Sequence, residues 1–176
     1  MSKLIDQLEF YAQYHRNPVN KAIHFFFIPT IFWSVLVWVS FIPIAFDVFG
    51  FQINAPILLA ASYSLFYTTL DPLAGLSWAA LVAYPLCKAA LAFASVPNAL
   101  AWAAGLHVFS WYMQIHPGHA IFEKRKPALM DSLVQAFATA PLFVWLELLF
   151  LLGYQRGMQQ ELDKRVEAAV SRRKAS

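Results

Sequence analysis

Long apolar stretches alternate with short polar segments along the whole chain. The stretches cover residues 25–46, 57–70, 73–94, 99–115 and 133–154. The first stretch contains no charged residue and is longer than the roughly 20 residues that a helix needs to cross a bilayer. Only Asp71-Pro72 separates the second stretch from the third, which predicts a tight helical hairpin. The pattern predicts an all-α fold, a polytopic integral membrane helical bundle with four to five hydrophobic segments.

The polar ends of the chain predict further helices. Apolar residues recur at helical spacing from Leu4 to Tyr11, which predicts an N-terminal amphipathic helix on the membrane surface. Asn17-Pro18 is typical of an N-cap followed by proline at the first helical position. The tail is rich in charge at mixed spacing and predicts a solvated helix. We expect one membrane domain with an interfacial N-terminal segment, a membrane region that includes an interfacial loop, and a polar tail. The domain covers residues 1–176. Its interfacial N-terminal segment is 1–24, its membrane region is 25–154 with the interfacial loop at 116–132, and its polar tail is 155–176.

The distribution of charge excludes several classes of protein. Hydrophobic residues make up 60% of the chain and charged residues 13%, whereas soluble domains carry about 25% charged residues. Between Phe25 and Phe122 the only formal charges are Asp47, Asp71 and Lys88. This distribution excludes a soluble globular enzyme, a nucleic-acid-binding domain and a disordered chain. The net charge of +3 then indicates contact with anionic headgroups of membrane lipids, with no nucleic-acid partner.

Basic residues predict the orientation in the membrane. They cluster before the first stretch, between the fourth and fifth stretches, and after Arg156. The positive-inside rule places each cluster on the cytoplasmic side, so both termini are expected in the cytoplasm. Five full spans cannot satisfy this rule. The fifth stretch, which contains Pro141 and Glu147, is therefore our candidate for a re-entrant element, and the short second stretch is the alternative. The membrane would be the inner membrane of a bacterium or the endoplasmic reticulum of a eukaryote.

Five histidines are the most informative polar residues. They are His15, His24, His107, His116 and His119. A single histidine at a membrane interface usually fills an amphipathic position. Five near one interface favour a transition-metal site, because imidazole binds zinc, copper, iron and nickel. His107 lies inside an apolar stretch, and an ionisable side chain in such a position is a functional candidate in itself. The single cysteine, Cys87, excludes a cysteine-based zinc module.

The spacing of the histidines requires bends in the chain. His107 precedes His119 by twelve residues, which is about 18 Å along a straight helix. One metal ion can bind both only if the helix breaks, and Pro117-Gly118 predicts a turn between them. Asn17-Pro18 provides a similar break for the N-terminal pair of histidines. Two metal ions are the alternative.

Polar side chains near the later histidines are candidates for supporting and catalytic roles. Gln114 lies two helical turns after the histidine of the fourth stretch, on the same helix face. Glu123 and Asp131 are candidates to orient a ligating ring by accepting its second N–H. Lys124 and Arg125 belong to a basic ridge that is either an ordinary cytoplasmic loop or a binding site for a carboxylate.

Two sequence blocks resemble the signatures of a known family. Residues 14–24 read YHRNPVNKAIH and are followed by Ile28-Pro29. Residues 111–129 contain the patterns W-x-x-Q, G-H and F-E-x-R-x-P-A-L. Both blocks are similar to those of the 2-hydroxy fatty acid dioxygenase family, and residues 140–147, APLFVWLE, also fit. The resemblance covers most of the chain.

The resemblance implies a small polytopic membrane enzyme. The implied activity is Fe(II)-dependent α-oxidation, in which O₂ shortens a 2-hydroxy fatty acid by one carbon, a step of sphingolipid breakdown in fungi. The implied iron ligands are His15, His24, His107 and His119. Many relatives carry an apolar residue in place of His116, the fifth candidate ligand. Arg125 or Lys124 would then pair with the carboxylate of the substrate.

Two other functions are compatible with these residues. A zinc-dependent membrane hydrolase would use the same histidines to activate water. A non-enzymatic membrane scaffold or transporter would need no metal, although transporters commonly have paired internal repeats and this sequence shows none. The resemblance favours the dioxygenase.

Overall fold

Helices make up most of the structure, as the apolar pattern predicts. A computed structural model describes residues 2–133 and 135–175, so residues 1, 134 and 176 of the expected domain lie outside the described residues. In chain order the helices are α1 (Ser2–Ala12), α2 (Pro18–Val39), α3 (Ala55–Leu70), α4 (Pro72–Trp78), α5 (Tyr84–Phe93), α6 (Ala99–Met113), α7 (Ala140–Leu151) and α8 (Arg156–Ala175). Segments of π-helix or 3-10 helix lie at Ala79–Ala83, Gln114–Glu123, Ala128–Met130 and Gln135–Thr139.

The chain divides into two compact units. The first comprises Met1–Phe25 and Gln114–Ser176, and the second comprises Phe26–Met113. In the first unit, α1 packs its apolar face against α7 and α8, and Leu8 at the centre of that face is fully buried. The predicted N-terminal amphipathic helix is confirmed, and within the unit its apolar face is covered by protein.

The tail forms α8, a charged helix with one buried apolar stripe. Met158, Leu162 and Val166 are spaced four residues apart and are buried. Arg165, on the same helix, pairs with Asp6 of α1 at 3.0 Å. The prediction of a helix is confirmed, but the helix is not fully solvated. The high charge of the tail conceals a stripe that repeats only once in each helical turn.

Local caps define the helical hairpin of the second unit. The side chains of Asn54 and Asp71 accept hydrogen bonds of 3.2 and 2.9 Å from backbone N–H groups three residues further on, and so begin α3 and α4. A π-helical turn at Ala79–Ala83 continues α4 into α5, so that Pro72–Phe93 forms one helix of 22 residues. The hairpin predicted at Asp71-Pro72 is confirmed.

A short β-hairpin, which the apolar pattern does not predict, follows α2. Strands β1 (Ala45–Val48) and β2 (Phe51–Asn54) pair antiparallel, with Val48 opposite Phe51 beside the turn. The two turn residues have positive φ angles of 51° and 82°, which is typical of a tight two-residue hairpin turn. Apolar residues on both faces of β1 conceal the alternation that normally indicates a strand.

The number of membrane spans differs from the expected four to five. Within the described residues, two helices are long and apolar enough to cross a membrane, Pro18–Val39 and Pro72–Phe93. Ala55–Leu70 is apolar but shorter. Ala136–Leu151 and Arg156–Arg172 are bent by 119° at a short break, and they add a third span only if together they form one broken span. The expected count is therefore not confirmed, and the bend falls at the end of the fifth stretch.

Candidate metal centre

Three histidines of the first unit come together from three different segments. His15 lies just after α1, His24 lies in the second turn of α2, and His119 lies in the π-helical segment Gln114–Glu123. The ring centroids are 4.4 Å apart for His15 and His24, 4.9 Å for His15 and His119, and 5.0 Å for His24 and His119. One ligand nitrogen from each ring lies within 4.8 Å of the other two. These three residues form a candidate metal centre.

Short-range contacts place the first two histidines. After α1 ends, the backbone N–H of His15 donates to the carbonyl of Ala12 at 3.2 Å and turns the chain. The side chain of Asn17 then accepts a 2.8 Å hydrogen bond from the N–H of Val19 and caps α2. The N-cap predicted at Asn17-Pro18 is confirmed. The bend between α1 and α2 allows His15 and His24 to face each other.

The third histidine depends on an unusual helical segment. Sequence reasoning predicts a turn at Pro117-Gly118, inside an interfacial loop at 116–132, but the chain continues as a π-helix through Glu123. Proline lacks the N–H of a regular α-helix, and its ring clashes with the carbonyl four residues earlier. The wider π-helical turn relieves this conflict, and such segments occur frequently at functional sites.

The first two rings are oriented by backbone carbonyls. The Nδ1 of His15 donates to the carbonyl of Tyr11 at 2.9 Å, and the Nδ1 of His24 donates to the carbonyl of Asn20 at 2.9 Å. A carbonyl only accepts, so the proton of each ring lies on Nδ1 and the lone pair lies on Nε2. A ligating histidine typically has its second nitrogen held in this way. Sequence reasoning assigned this role to Glu123 and Asp131, but carbonyls four residues before each ring fill it.

Two ring nitrogens of the centre are buried without a partner. His15, His24 and His119 are 2%, 4% and 2% exposed. Among the buried side-chain atoms of the described residues, those without a hydrogen-bond partner are the Nε2 of His15, the Nδ1 of His119 and the Oδ1 of Asn20. An unsatisfied buried polar group is costly and requires an explanation. A bound metal ion would satisfy both nitrogens, so the residues fit a divalent transition metal.

The surroundings keep the imidazoles neutral, which metal binding requires. Burial lowers the pKa of His15 well below its usual value, and the neighbouring His24 lowers it further. Burial also lowers the pKa of His119 to about 4. At neutral pH both rings therefore offer a lone pair.

Glu123 connects the segment of His119 to the bend between α1 and α2. Its carboxylate accepts hydrogen bonds from the backbone N–H groups of Arg16, at 3.0 and 3.1 Å, and Asn17, at 2.9 Å. The side-chain amide of Asn20 donates to the same carboxylate at 3.0 Å. The carboxylate of Glu123 thus accepts hydrogen bonds from the bend and from the first turn of α2.

A cleft of about 750 Å³ with an excess of positive charge lies beside these residues. The charged residues that line it are Arg16, Glu123, Lys124, Arg125, Lys126 and Asp131. Arg125 is held in place, because its guanidinium lies 3.6 Å from the ring centre of Tyr14 and donates to the carbonyl of Gln13. Asp131 is also paired: it accepts from the hydroxyl of Tyr14 and forms a 2.6 Å ion pair with Lys126. These two bonds lower the pKa of Asp131. Lys124 is exposed.

His107 lies in the second unit, and the three-histidine group does not include it. The indole N–H of Trp111 donates to its Nε2 at 2.9 Å. The proton of His107 is therefore on Nδ1, which donates to the hydroxyl of Ser34 at 2.8 Å. Both ring nitrogens have protein partners in this arrangement.

The two other candidates of the same segment have different positions. His116 is exposed, whereas His119 three residues later is buried. The group that could hold a metal does not include His116. Gln114 is 4% exposed and begins the π-helical segment, in the first unit.

Sequence reasoning missed the residues that orient the rings. Tyr11 and Asn20 provide the carbonyls for His15 and His24. A usable signal exists, since each lies four residues before a histidine in a helical segment. The role of Asn17 beyond capping was also missed: its amide donates to the carbonyl of Phe122 at 3.0 Å.

A mostly helical chain with apolar helices and three buried, converging imidazoles belongs to the class of candidate membrane metalloproteins. The chain matches, over residues 1–152, the family described as 2-hydroxy-palmitic acid dioxygenase Mpo1-like. It is 35% identical over 164 residues to the Saccharomyces cerevisiae protein named 2-hydroxy-palmitic acid dioxygenase MPO1, covering 93% of this chain and 90% of the yeast protein. No solved structure matches the chain. The chain therefore belongs to the Mpo1-like family, which confirms the resemblance of the sequence blocks.

Proposed function

We propose that this protein is a membrane dioxygenase that uses Fe(II) and O₂ to shorten 2-hydroxy fatty acids by one carbon. The observation that carries the proposal is the buried group of His15, His24 and His119, with two ring nitrogens that have no hydrogen-bond partner. The name of the yeast relative supports an oxidoreductase that acts on a 2-hydroxy fatty acid.

The proposed reaction balances with O₂ as the oxidant. A 2-hydroxy acid, RCH(OH)COOH, and O₂ give RCOOH, CO₂ and H₂O. The bond between C1 and C2 breaks, C1 leaves as CO₂, and C2 becomes the new carboxyl carbon. O₂ accepts four electrons in all, so no further reductant is required.

We propose three imidazole ligands for the iron in place of the five suggested by the sequence. His15 and His24 would coordinate through Nε2, because carbonyls hold the proton on Nδ1. His119 would coordinate through its unpartnered Nδ1. When bound, ferrous iron would supply redox chemistry toward O₂ and a Lewis acid for oxygen atoms of the substrate. Three protein ligands would leave coordination positions open for both.

Residues of the basic cleft would bind the carboxylate of the substrate. Lys124 is exposed at the end of the segment that carries His119, so we propose that it binds the carboxylate of the substrate. Arg125 is stacked on Tyr14 and donates to a backbone carbonyl, and we propose that it shapes the cleft. Gln114 is buried at the start of the same segment and stays a candidate to contact the substrate. None of these groups needs to exchange a proton for binding.

The membrane would supply the substrate. The second unit exposes large apolar side chains along its helices, including Leu65, Leu81 and Val108, which suit acyl chains of membrane lipids. We propose that both termini are cytoplasmic, because the three basic clusters flank apolar stretches. The membrane is the inner membrane of a bacterial host, or the endoplasmic reticulum of a eukaryotic one.

The decisive experiment follows carbon and oxygen together. Protein purified without O₂ in detergent is loaded with Fe(II) and given O₂ and 2-hydroxypalmitic acid labelled with ¹³C at C1. We expect an unlabelled acid one carbon shorter, labelled CO₂, and one O₂ consumed for each product. Mass spectrometry and an oxygen electrode measure these quantities.

Two controls make the result specific. Palmitic acid, which lacks the 2-hydroxyl group, should give no product and no O₂ uptake. A zinc-loaded sample should be inactive if the chemistry is oxidative. Product formation with zinc and without O₂ uptake would contradict the proposal and favour a hydrolase.

A further inference from the structure

We infer that Glu123 is the positioning residue of the metal centre and not an acid or base of the reaction. It holds the bend that carries His15 and leads to His24 against the segment that carries His119. This inference rests on the proposed function, because it assigns Glu123 a task at the same metal site.

The contacts of Glu123 all lead to the bend. One oxygen accepts from the N–H of Arg16, and the other accepts from the N–H groups of Arg16 and Asn17 and from the amide of Asn20. Their lengths lie between 2.9 and 3.1 Å. An ionised carboxylate has about four lone-pair sites. Three donors, from Arg16, Asn17 and Asn20, thus bind the two oxygens of Glu123, and the N–H of Arg16 is shared between both oxygens.

These contacts reach the metal-binding rings through short connections. Arg16 is the neighbour of His15 in the chain, and Asn20 supplies the carbonyl that accepts from the ring of His24. Asn20 is fully buried and also donates to the carbonyl of Tyr14 at 3.3 Å. A shift of the carboxylate would thus change the position of two rings relative to the third.

A second bond between the same segments supports this role. The amide of Asn17 donates to the carbonyl of Phe122, directly before Glu123. The backbone N–H of Arg125 donates to the carbonyl of His119 at 3.1 Å and closes the segment beyond Glu123. Glu123 therefore lies between two fixed points, and its position relative to His119 is determined by the backbone.

Glu147 provides a matched control within the first unit. It forms a 2.7 Å ion pair with Lys21 of α2, so it also joins α2 to another element through a carboxylate. Its own helix, α7, contains no histidine. A general loss of stability on removing a carboxylate should therefore appear in both variants, whereas a loss of metal-site geometry should appear only at Glu123.

The test compares metal binding by full-length Glu123→Gln and Glu147→Gln in detergent. Glutamine keeps the size of the side chain but replaces one acceptor with an NH₂ group, which faces N–H donors. Co(II) is titrated into metal-free protein, and its visible absorption reports affinity and ligand geometry. We expect Glu123→Gln to weaken binding by about 10- to 100-fold and to shift the spectrum, as loss of supporting contacts at metal sites does. Glu147→Gln should bind within about twofold of the wild type.

Glu123→Asp covers the case in which the glutamine variant does not fold. It keeps the charge and both acceptors but is one methylene shorter, so its Co(II) affinity should lie between those of the wild type and Glu123→Gln. Wild-type affinity and spectrum in either folded Glu123 variant would overturn the inference. Equal losses in the glutamine variants of Glu123 and Glu147 would also overturn it. Failure of the wild type to bind Co(II) or Fe(II) at all would instead overturn the proposed function.

Discussion

The histidines of the two units differ in the use of their ring nitrogens. In the first unit, His15 and His119 each have a buried nitrogen without a hydrogen-bond partner, and the rings converge. In the second unit, His107 has one nitrogen paired with Ser34 and the other with Trp111. The same residue type therefore offers a nitrogen available to a metal ion in one unit and makes a fully hydrogen-bonded structural contact in the other. The hydrogen-bond partners of the rings, more than the number of histidines, therefore identify the candidate metal centre.

Other polar side chains show a similar contrast. In the second unit, Asn54 and Asp71 cap helices by accepting hydrogen bonds from backbone N–H groups three residues further along the chain. In the first unit, Asn20 and Glu123 are joined across 103 residues of sequence, and Tyr14 and Asp131 across 117. Asn54 and Asp71 therefore shape the second unit locally, while the pairs Asn20–Glu123 and Tyr14–Asp131 hold distant segments of the first unit together.

The largest effect is expected from removing an open ligand. His119→Ala should lose the bound metal and reduce turnover by about 1,000-fold or more, equivalent to ~4 kcal/mol of transition-state stabilisation. The exposed His116, three residues away, is the matched control, and His116→Ala should retain metal and activity. Metal per chain and product formation are measured for both. Equal losses in the two variants would break the contrast between buried and exposed histidines.

The next effect concerns the packing of the second unit. A Cβ atom on Gly75 would lie 2.2 Å from the backbone nitrogen of Thr68, whereas one on Gly105 would meet nothing within 4 Å. Gly75→Ala should therefore lower the free energy of unfolding by about 3 kcal/mol, because backbone atoms can move apart only at a large energetic cost. Gly105→Ala should leave it unchanged or raise it by up to about 1 kcal/mol.

Thermal unfolding in detergent measures both glycine variants. The Co(II) affinity of the fraction of Gly75→Ala that folds should equal that of the wild type, since the histidine group lies within the first unit. A large loss of affinity in that fraction would show that the two units do not divide scaffold from metal centre.

A smaller effect is expected from removing His107, whose two ring nitrogens both have protein partners. His107→Ala takes away the acceptor of the Trp111 N–H and the donor to the Ser34 hydroxyl, which keeps its bond to the Ile31 carbonyl. It should lower the free energy of unfolding by about 1 kcal/mol, the low end of the cost of leaving a donor without its acceptor, because the pair is only half-buried. The number of metal ions bound per chain should not change. A drop in the number of bound metal ions would contradict this prediction and indicate that His107 is a ligand.

The smallest effect separates charge from backbone strain at Lys124. This residue has a φ of 55°, a conformation that costs non-glycine residues about 1–2 kcal/mol. Lys124→Gly should therefore be more stable to unfolding than Lys124→Ala by about 1 kcal/mol. Both variants lose the cation, so both should raise KM for the 2-hydroxy acid to the same extent. Different KM values would indicate that backbone shape and not charge governs substrate binding.

Features that depend on neighbouring residues could be predicted. The start of α2 at Asn17-Pro18 and the hairpin at Asp71-Pro72 follow from caps that act within three residues. The β-hairpin was missed, because apolar residues on both faces of β1 resemble the end of the preceding apolar stretch. The turn expected at Pro117-Gly118 was wrong, because a π-helical segment accommodates the proline.

The candidate site was predicted only as a set of residue types. Among the five histidines, sequence spacing could not separate His119 from His116, which differ in burial and not in chemistry. The same reasoning placed Glu123 beside a ring, whereas it binds backbone N–H groups of the bend between α1 and α2. Backbone donors have no residue type, so a sequence pattern does not reveal them.

The amino-acid sequence alone predicts the helical character, the apolar stretches, the family and the concentration of candidate chemistry in a few histidines. These depend on composition and on contacts within a few residues, and both can be read along the chain. Which ring nitrogens lack a hydrogen-bond partner and which are paired follows from the tertiary structure. That depends on contacts such as Glu123 with Asn20, which join segments 103 residues apart. The position of one segment against another is determined by packing of the whole unit, which local sequence does not specify.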